Sequence, residues 1–483
     1  MFLGVDIGTS GVKAVIADES GKLLDQATAP LTVSRPAPLF SEQDPADWWS
    51  ATEQAVLSLK PEYRRQVKAA GVTGQMHGAT LLDESDRVLR PAILWNDGRS
   101  GAECIQLERA EPRAREITAN AVMAGFTAPK LLWVRKHEPE IFERTKTVLL
   151  PKDYVRFLMT GEKASDMSDA SGTCWLDVGK RRWSAEMLAA CGLDESAMPS
   201  VHEGPEVTGT LCSDVAQRWG MQSVPVIAGG GDNAAAAVGL GVVNDGDAFI
   251  SLGTSGVVFV ATDTLRPNPA KGLHAFCHAV PGKWHQMSVM LSAASCLDWV
   301  AGMLKEPDFP ALLALAEGAT GDAPIFLPYL TGERTPHANP HAKAVFFGMT
   351  AQTGQGEIAR AVVEGVAMGL RDGLDIITEA GSTVQSLTVA GGGSRSLFWG
   401  RILAGALNVP LVYRSGGDVG PAYGAARLAI AASGGADSAE VFTPPPIIAT
   451  VEPEPDLVAY FDERQPRFRA IYTALEPSFG DRQ

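Results

Sequence analysis

Two hydrophobic rhythms alternate along the chain. Short apolar runs, Phe2 to Val5, Val67 to Val72, Val224 to Ile227, Ala248 to Ile250 and Leu387 to Ala390, read as strands, and glycine-containing turns follow them. Between such runs the period changes to that of a helix. From Glu357 to Ala380, residues Val362, Val366, Leu370, Leu374 and Ile377 fall on one apolar stripe, which predicts a packed core helix stopping at Gly381. This alternation of strand and helix patterns predicts α/β domains. The Pro-rich segment Phe442 to Pro446 then separates the last α/β pattern from a polar tail around Pro453 to Phe468, which predicts an appended helix rather than a further domain.

The chain also repeats itself. Ile7-Gly8-Thr9-Ser10-Gly11-Val12 returns as Leu252-Gly253-Thr254-Ser255-Gly256-Val257, about half of the 483 residues further on. Each copy has the pattern strand, Gly-rich turn, strand, so two domains are expected, residues 1–243 and 244–483, each opening on a hairpin. Successive backbone N–H groups and hydroxyls in such a turn suit an anion, and two turns suit a polyphosphate, although one GTSG alone is also simply a tight hairpin. The copies differ where charge matters. Asp6 and Lys13 of the first correspond to Ser251 and Val258 of the second, so only the first offers a carboxylate for a hydrated Mg²⁺ and a cation for phosphate charge. Asp6 could equally cap the N–H groups of its turn.

Three further segments carry candidate chemistry. Pro225 to Ala234 runs an apolar strand through three glycines into Asp232, Asn233 and a small-residue helix, which places Asp232 at a helix N-terminus as an N-cap or as a base that takes a hydroxyl proton. The same stretch meets the loose pattern GxGxxA without a βαβ continuation, a weak sign of dinucleotide binding. Gly391 to Ser396 follows the strand Leu387 to Ala390 and precedes a helical pattern, where backbone can approach a flat ligand, and the Gly-rich corner Gly416 to Pro421 leads into the helical pattern Ala422 to Ala431 as a second cleft edge. Gly74-Gln75-Met76-His77-Gly78 and Leu94-Trp95-Asn96-Asp97-Gly98-Arg99 bring amides, an imidazole, a carboxylate and an indole onto loops after strands, a set suited to hydroxyl groups and a sugar face. His274, Cys277, His278 and His285 resemble a metal set, but strand alternation turns Cys277 away from His274 and His278.

Composition narrows the field. With 45% apolar and 20% charged residues the chain is globular, and a net charge of −15 disfavours nucleic acid and anionic lipid as partners. Six scattered cysteines without a CxxC pair predict free thiols in a reducing compartment. No signal peptide or membrane-spanning run is recognisable, so a cytoplasmic protein is expected. Walker A, GxSxG and HExxH patterns are absent, which argues against a P-loop kinase, an α/β-hydrolase and a zincin.

Taken together, the two GTSG hairpins, GGGDNAA at 229–235 and AGGGSRS at 390–396 resemble the FGGY family of carbohydrate kinases. Gly125 to His137 is similar to the family's first signature, and Ala344 to Met349 with Glu357 to Glu364 to its second. Within the family, GQMHG at 74–78, ILWNDGR at 93–99, LPKDY at 150–154, SDMSDASGT at 165–173 and LTGERTP at 330–336 resemble the members acting on D-xylulose, over nearly the whole chain. The resemblance implies an actin-like, ribonuclease-H-like fold duplicated into two domains, with the sugar held mainly by the first and ATP by the second across a closing cleft. It further implies Asp232 as the base on the sugar's terminal hydroxyl, Met76, His77, Asp232 and Asn233 as sugar contacts, and Asp6 near Mg²⁺. Thr9, Ser10, Lys13, Gly253, Thr254, Gly392 and Gly393 are the expected ATP contacts. The expected reaction turns ATP and D-xylulose into ADP and D-xylulose 5-phosphate, with ribulose, fuculose or gluconate as competing substrates. A homodimer is left open. An actin-like ATPase without a sugar substrate and a nicotinamide-dependent oxidoreductase are the alternatives from other classes.

Overall fold

The computed structural model describes residues 1–306, 308–392, 396–415, 420–434 and 438–480. Two mixed sheets organise it. The first contains β1 (Phe2–Ile7), β2 (Gly11–Ala17), β3 (Leu23–Pro30), β4 (Ala69–Gly74), β5 (Val207–Thr210) and β6 (Pro225–Ile227), in the order β5-β6-β4-β1-β2-β3, with the short β7 (Gly230–Gly231) also pairing β4. The second contains β8 (Ala248–Leu252), β9 (Gly256–Thr262), β10 (His274–Cys277), β11 (Trp284–Met290), β12 (Leu387–Ala390), β13 (Leu411–Arg414) and β14 (Ile447–Val451), in the order β10-β11-β9-β8-β12-β13-β14.

Six strands of the two orders correspond, and the second sheet adds β10 beyond β11. In the first sheet β1, β2 and β3 form an antiparallel meander, β4 and β6 run parallel to β1, and β5 closes the edge antiparallel. In the second, β8, β9 and β11 form the meander, β12 and β13 continue in parallel, and β14 closes the edge antiparallel. This duplicated, ribonuclease-H-like architecture is the one expected from the sequence. The repeated hairpins differ in register. Ile7 pairs Val12 in the first, whereas Leu252 pairs Gly256 in the second, one residue tighter. Asp6 therefore faces Lys13, while Ser251 faces Val257, and a one-residue shift of this kind changes which side chains share a face.

Helices join the halves. The helix α1 (Asp232–Leu240) leaves the first sheet and sends Ala237 and Leu240 into a core with Phe249, Val257 and Phe259 of the second. The long α2 (Gln355–Glu379) buries all five residues of its predicted stripe and ends before Gly381, whose φ is +96°. The helix α3 (Gly420–Ala432) comes from the second half but lies on the first sheet. There Gly4 and Gly71 let it sit flush: a Cβ on either would stand 1.9 Å from the Ala422 carbonyl oxygen or 2.2 Å from that of Ala425.

The C-terminal tail forms the expected helix but packs more deeply and extends further than expected. After the Pro-rich segment the chain adds β14 to the second sheet, and α4 (Pro455–Leu475) runs beyond Phe468 and buries Phe461, Phe468, Ile471 and Tyr472 in that half's core. It is a structural part of the second domain rather than an appendage. Its few apolar anchors are widely spaced among charged residues, which masked the buried face.

Candidate active site

The parallel strands β1, β4 and β7 end side by side, with Asp6, Thr73 and Gly230 in one row and Ile7, Gly74 and Gly231 in the next. Ligands of open α/β sheets bind at such carboxyl ends. Leu3, Val5 and Ile7 pack into the core with Trp48, so alternation turns Gly4 and Asp6 to the opposite face, toward α3. The Asp6 Oδ1 and Thr73 Oγ1 atoms are buried there with no hydrogen-bond partner. Burial first, and then the negative charge of Asp232, pushes the Asp6 carboxyl up to about 8, with Lys13 pulling the other way. Lys13, opposite Asp6 in the hairpin, lies on the same face.

Asp232 opens α1 directly after β7. Its Oδ1 accepts from the Asn233 backbone N–H at 2.7 Å and from Asn233 Nδ2 at 2.9 Å, and Oδ2 takes no hydrogen bond from the described residues. Burial pushes the carboxyl up to about 6 against these two bonds, so it is mostly ionised at neutral pH yet basic enough to accept a proton. The side-chain amide of Asn233, expected at the sugar, orients the carboxylate here.

A buried network fixes the residue before Asp232. The Gly231 N–H donates to Ser168 Oγ at 3.0 Å, and Ser168 Oγ donates to Asp166 Oδ2 at 2.5 Å. Lys152 stands 2.9 Å from Asp166, 2.5 Å from Asp153 and 3.7 Å from Asp169, all four fully buried. Burial raises the Asp153 and Asp169 carboxyls, while the three carboxylates keep Lys152 charged against desolvation. LPKDY and SDMSDASGT thus meet behind the aspartate, a role that spacing alone did not reveal.

Met76 and His77 follow β4, Met76 packing against Gly231 and His77 against Gly172. A Cβ on Gly231 would stand 3.1 Å from Met76 Sδ, and one on Gly172 would stand 2.5 Å from His77 Nδ1. His77 adopts φ +69°, and its Nδ1 lies 2.7 Å from the Gly172 carbonyl oxygen. That oxygen only accepts, so Nδ1 carries the hydrogen and Nε2 is left as an acceptor. Burial, above all, lowers the imidazole to about 3, so it is neutral. The His77 carbonyl oxygen accepts from Lys130 Nζ at 2.8 Å and Thr127 Oγ1 at 3.2 Å, both from the Gly125 to His137 segment.

The first hairpin is tied to the interior. Thr9 Oγ1 donates to Gln75 Oε1 at 3.0 Å and accepts from Trp95 Nε1 at 3.0 Å, while Gln43 bonds the Thr9 carbonyl oxygen, Gln75 and Trp48. The Thr9 hydroxyl is thus occupied within the first half, and Ser10 is exposed at the tip. Asp97 and Arg99 instead form a buried ion pair together with Glu42. In the second half the Gly253 and Thr254 carbonyls accept from Ala294 and Ala293 N–H groups, docking that hairpin onto the helix Ala294–Leu304. Gly391, with φ +84°, packs against Leu252 and brings exposed Gly392 beside Gly253 at the ends of β12 and β8. Gly393 and the 416–419 corner lie outside the described residues. Cys277 packs with Ala275, Leu176 and Val178, while Phe276 enters a different core, the alternation expected of that strand.

Among the described residues no group of three His, Cys, Asp or Glu side chains is placed to hold a metal ion. The unpartnered Asp6 Oδ1 and Thr73 Oγ1 fit a hydrated cation that enters with other ligands, such as phosphate oxygens. No helix of the described residues is long and apolar enough to cross a membrane.

Family models of the FGGY family of carbohydrate kinases match residues 1–239 with the N-terminal domain and 248–433 with the C-terminal domain. The chain is 55% identical over 481 residues to a xylulose kinase of Escherichia coli (strain K12), covering 99% of each, and 53% identical, at the same coverage, to one of Klebsiella pneumoniae. A crystal structure of a xyloylose kinase from Brucella ovis superposes with a TM-score of 0.94 at 49% identity, over 98% of this chain and 99% of that one.

Proposed function

The chain belongs to the FGGY family of carbohydrate kinases, and we propose that it transfers the terminal phosphoryl group of ATP to D-xylulose, giving ADP and D-xylulose 5-phosphate. The carrying observation is Asp232: one carboxylate oxygen is held by Asn233, the other is left for a ligand, and Met76 lies against the preceding Gly231. The relatives at 55% and 53% identity, both xylulose kinases, support the choice of sugar.

Asp232 Oδ2 takes the proton of the sugar's terminal hydroxyl as that oxygen attacks the terminal phosphorus and the bond to the bridging oxygen of ADP breaks. An ordinary carboxylate suffices because the proton moves late in such transfers. His77 Nε2 accepts from a sugar hydroxyl, and Met76 packs against the carbon chain. Lys13, Ser10, the Thr9 backbone and the second hairpin at Gly253 and Thr254 hold phosphate oxygens, with Gly392 and Gly393 beside the nucleoside. Asp6, with Thr73 next to it, would hold Mg²⁺, which neutralises phosphate charge when bound. Closure of the two domains, divided near residues 243 and 244, excludes water that would otherwise consume ATP. Use of ATP and six free thiols fit the cytoplasm. A homodimer would leave every residue invoked within one chain.

The test is ADP release with D-xylulose, ribulose, fuculose, gluconate, glycerol or no sugar. The expected result is release that requires sugar, with kcat/KM for D-xylulose at least about tenfold above the others. Faster turnover of another sugar, or release indifferent to sugar, would overturn it.

A further inference from the structure

Arg334 belongs to the second half, on the loop after the strand Ile325–Leu327, yet it reaches the first. Its Nη2 stands 3.3 Å from where a Cβ on Gly125 would sit, and the neighbouring Phe126 ring lies 4.8 Å from that of His77. The loop is pinned on several sides. Glu333 Oε1 accepts the N–H groups of Leu291 at 2.9 Å and Arg334 at 2.7 Å, Thr335 Oγ1 donates to the Gly272 carbonyl oxygen at 2.9 Å, and Glu333 and Asn339 exchange backbone hydrogen bonds. The guanidinium itself makes no hydrogen bond or ion pair with the described residues.

Arg334 is half-buried. Burial lowers its guanidinium from its ordinary value, with the Glu333 carboxyl pulling the other way. Burial also pushes that carboxyl up to about 8, so that it is mostly uncharged at neutral pH. A cation so placed gains from an added acceptor. Its charge is felt at Lys130, His77 and His274, each of which burial already lowers from its ordinary value. The contacts with Gly125 and, through Phe126, His77 put Arg334 on the His77 side of the site. We propose that Arg334 donates to the carbonyl and adjacent hydroxyl oxygens at the C1–C2 end of the bound ketose, a substrate contact supplied by the second half. The inference rests on the proposed reading of the substrate. Its chemical logic is the match between a planar fork of N–H donors and two neighbouring oxygen acceptors, which also ties sugar recognition to approach of the halves.

The test is steady-state kinetics of the full-length protein and its Arg334→Met and Arg334→Lys variants with D-xylulose and with xylitol, which carries an alcohol in place of the ketone. For Arg334→Met the expected result is KM for D-xylulose raised about tenfold or more, KM for ATP within about threefold, and a loss of preference for D-xylulose over xylitol. Arg334→Lys keeps the charge without the fork and should fall between, which covers the case in which the Met variant does not fold. Unchanged KM and preference in a folded variant would overturn the proposal. A wild-type protein inactive on D-xylulose would instead overturn the substrate reading on which it rests.

Discussion

At the scale of single residues, the account depends on how Asp232 is held. Two hydrogen bonds from Asn233 fix one oxygen, and burial raises the carboxyl to about 6. It must be ionised to accept a proton, so turnover is expected to fall as pH drops below about 6, approaching tenfold per pH unit. Asp232→Asn should lower kcat by about 1,000-fold, leave D-xylulose affinity within a few-fold, and remove that acid limb from the residual rate. A pH series of both proteins checks this, and near-normal turnover of the variant would remove Asp232 from the role of base. Asp232 was legible in the sequence because a carboxylate after three glycines at a helix start is a distinctive local pattern. The partners that orient it were not. Ser168, Asp166 and Lys152 lie 60 or more positions away in sequence, and nothing in a linear pattern says that a serine hydroxyl will accept the Gly231 N–H.

At the scale of elements, the hairpins, β4, β12, α1 and α2 stand close to where hydrophobic rhythm put them, because each is long or bounded by glycine. The register of the second hairpin and β14 were hidden, since pairing depends on the partner strand and not on the segment's own letters. The crossing of α1 and α3 was equally hidden, although its small residues were visible. A Cβ on Gly424 would stand 1.7 Å from the Ala235 carbonyl oxygen, a backbone atom that cannot move aside alone. Gly424→Val should therefore cost about 3 kcal/mol of stability or more, read as a lower denaturation midpoint in urea. A wild-type midpoint would contradict so close an approach.

At the scale of the whole molecule, a six-residue repeat announced a duplication that the two sheets bear out over six strands each. What the repeat could not announce is the exchange across the middle: α3 of the second half rests on the first sheet, and Arg334 of the second half approaches Gly125 of the first. Such contacts join residues hundreds of positions apart and follow from three-dimensional packing alone. The most direct measurement is a crystal structure with D-xylulose and a non-hydrolysable ATP analogue bound together. The account predicts Asp232 Oδ2 about 2.6–3.2 Å from the terminal hydroxyl oxygen, with that oxygen in line with the terminal phosphorus. A closed complex in which Asp232 lies out of hydrogen-bond reach of that hydroxyl would contradict it.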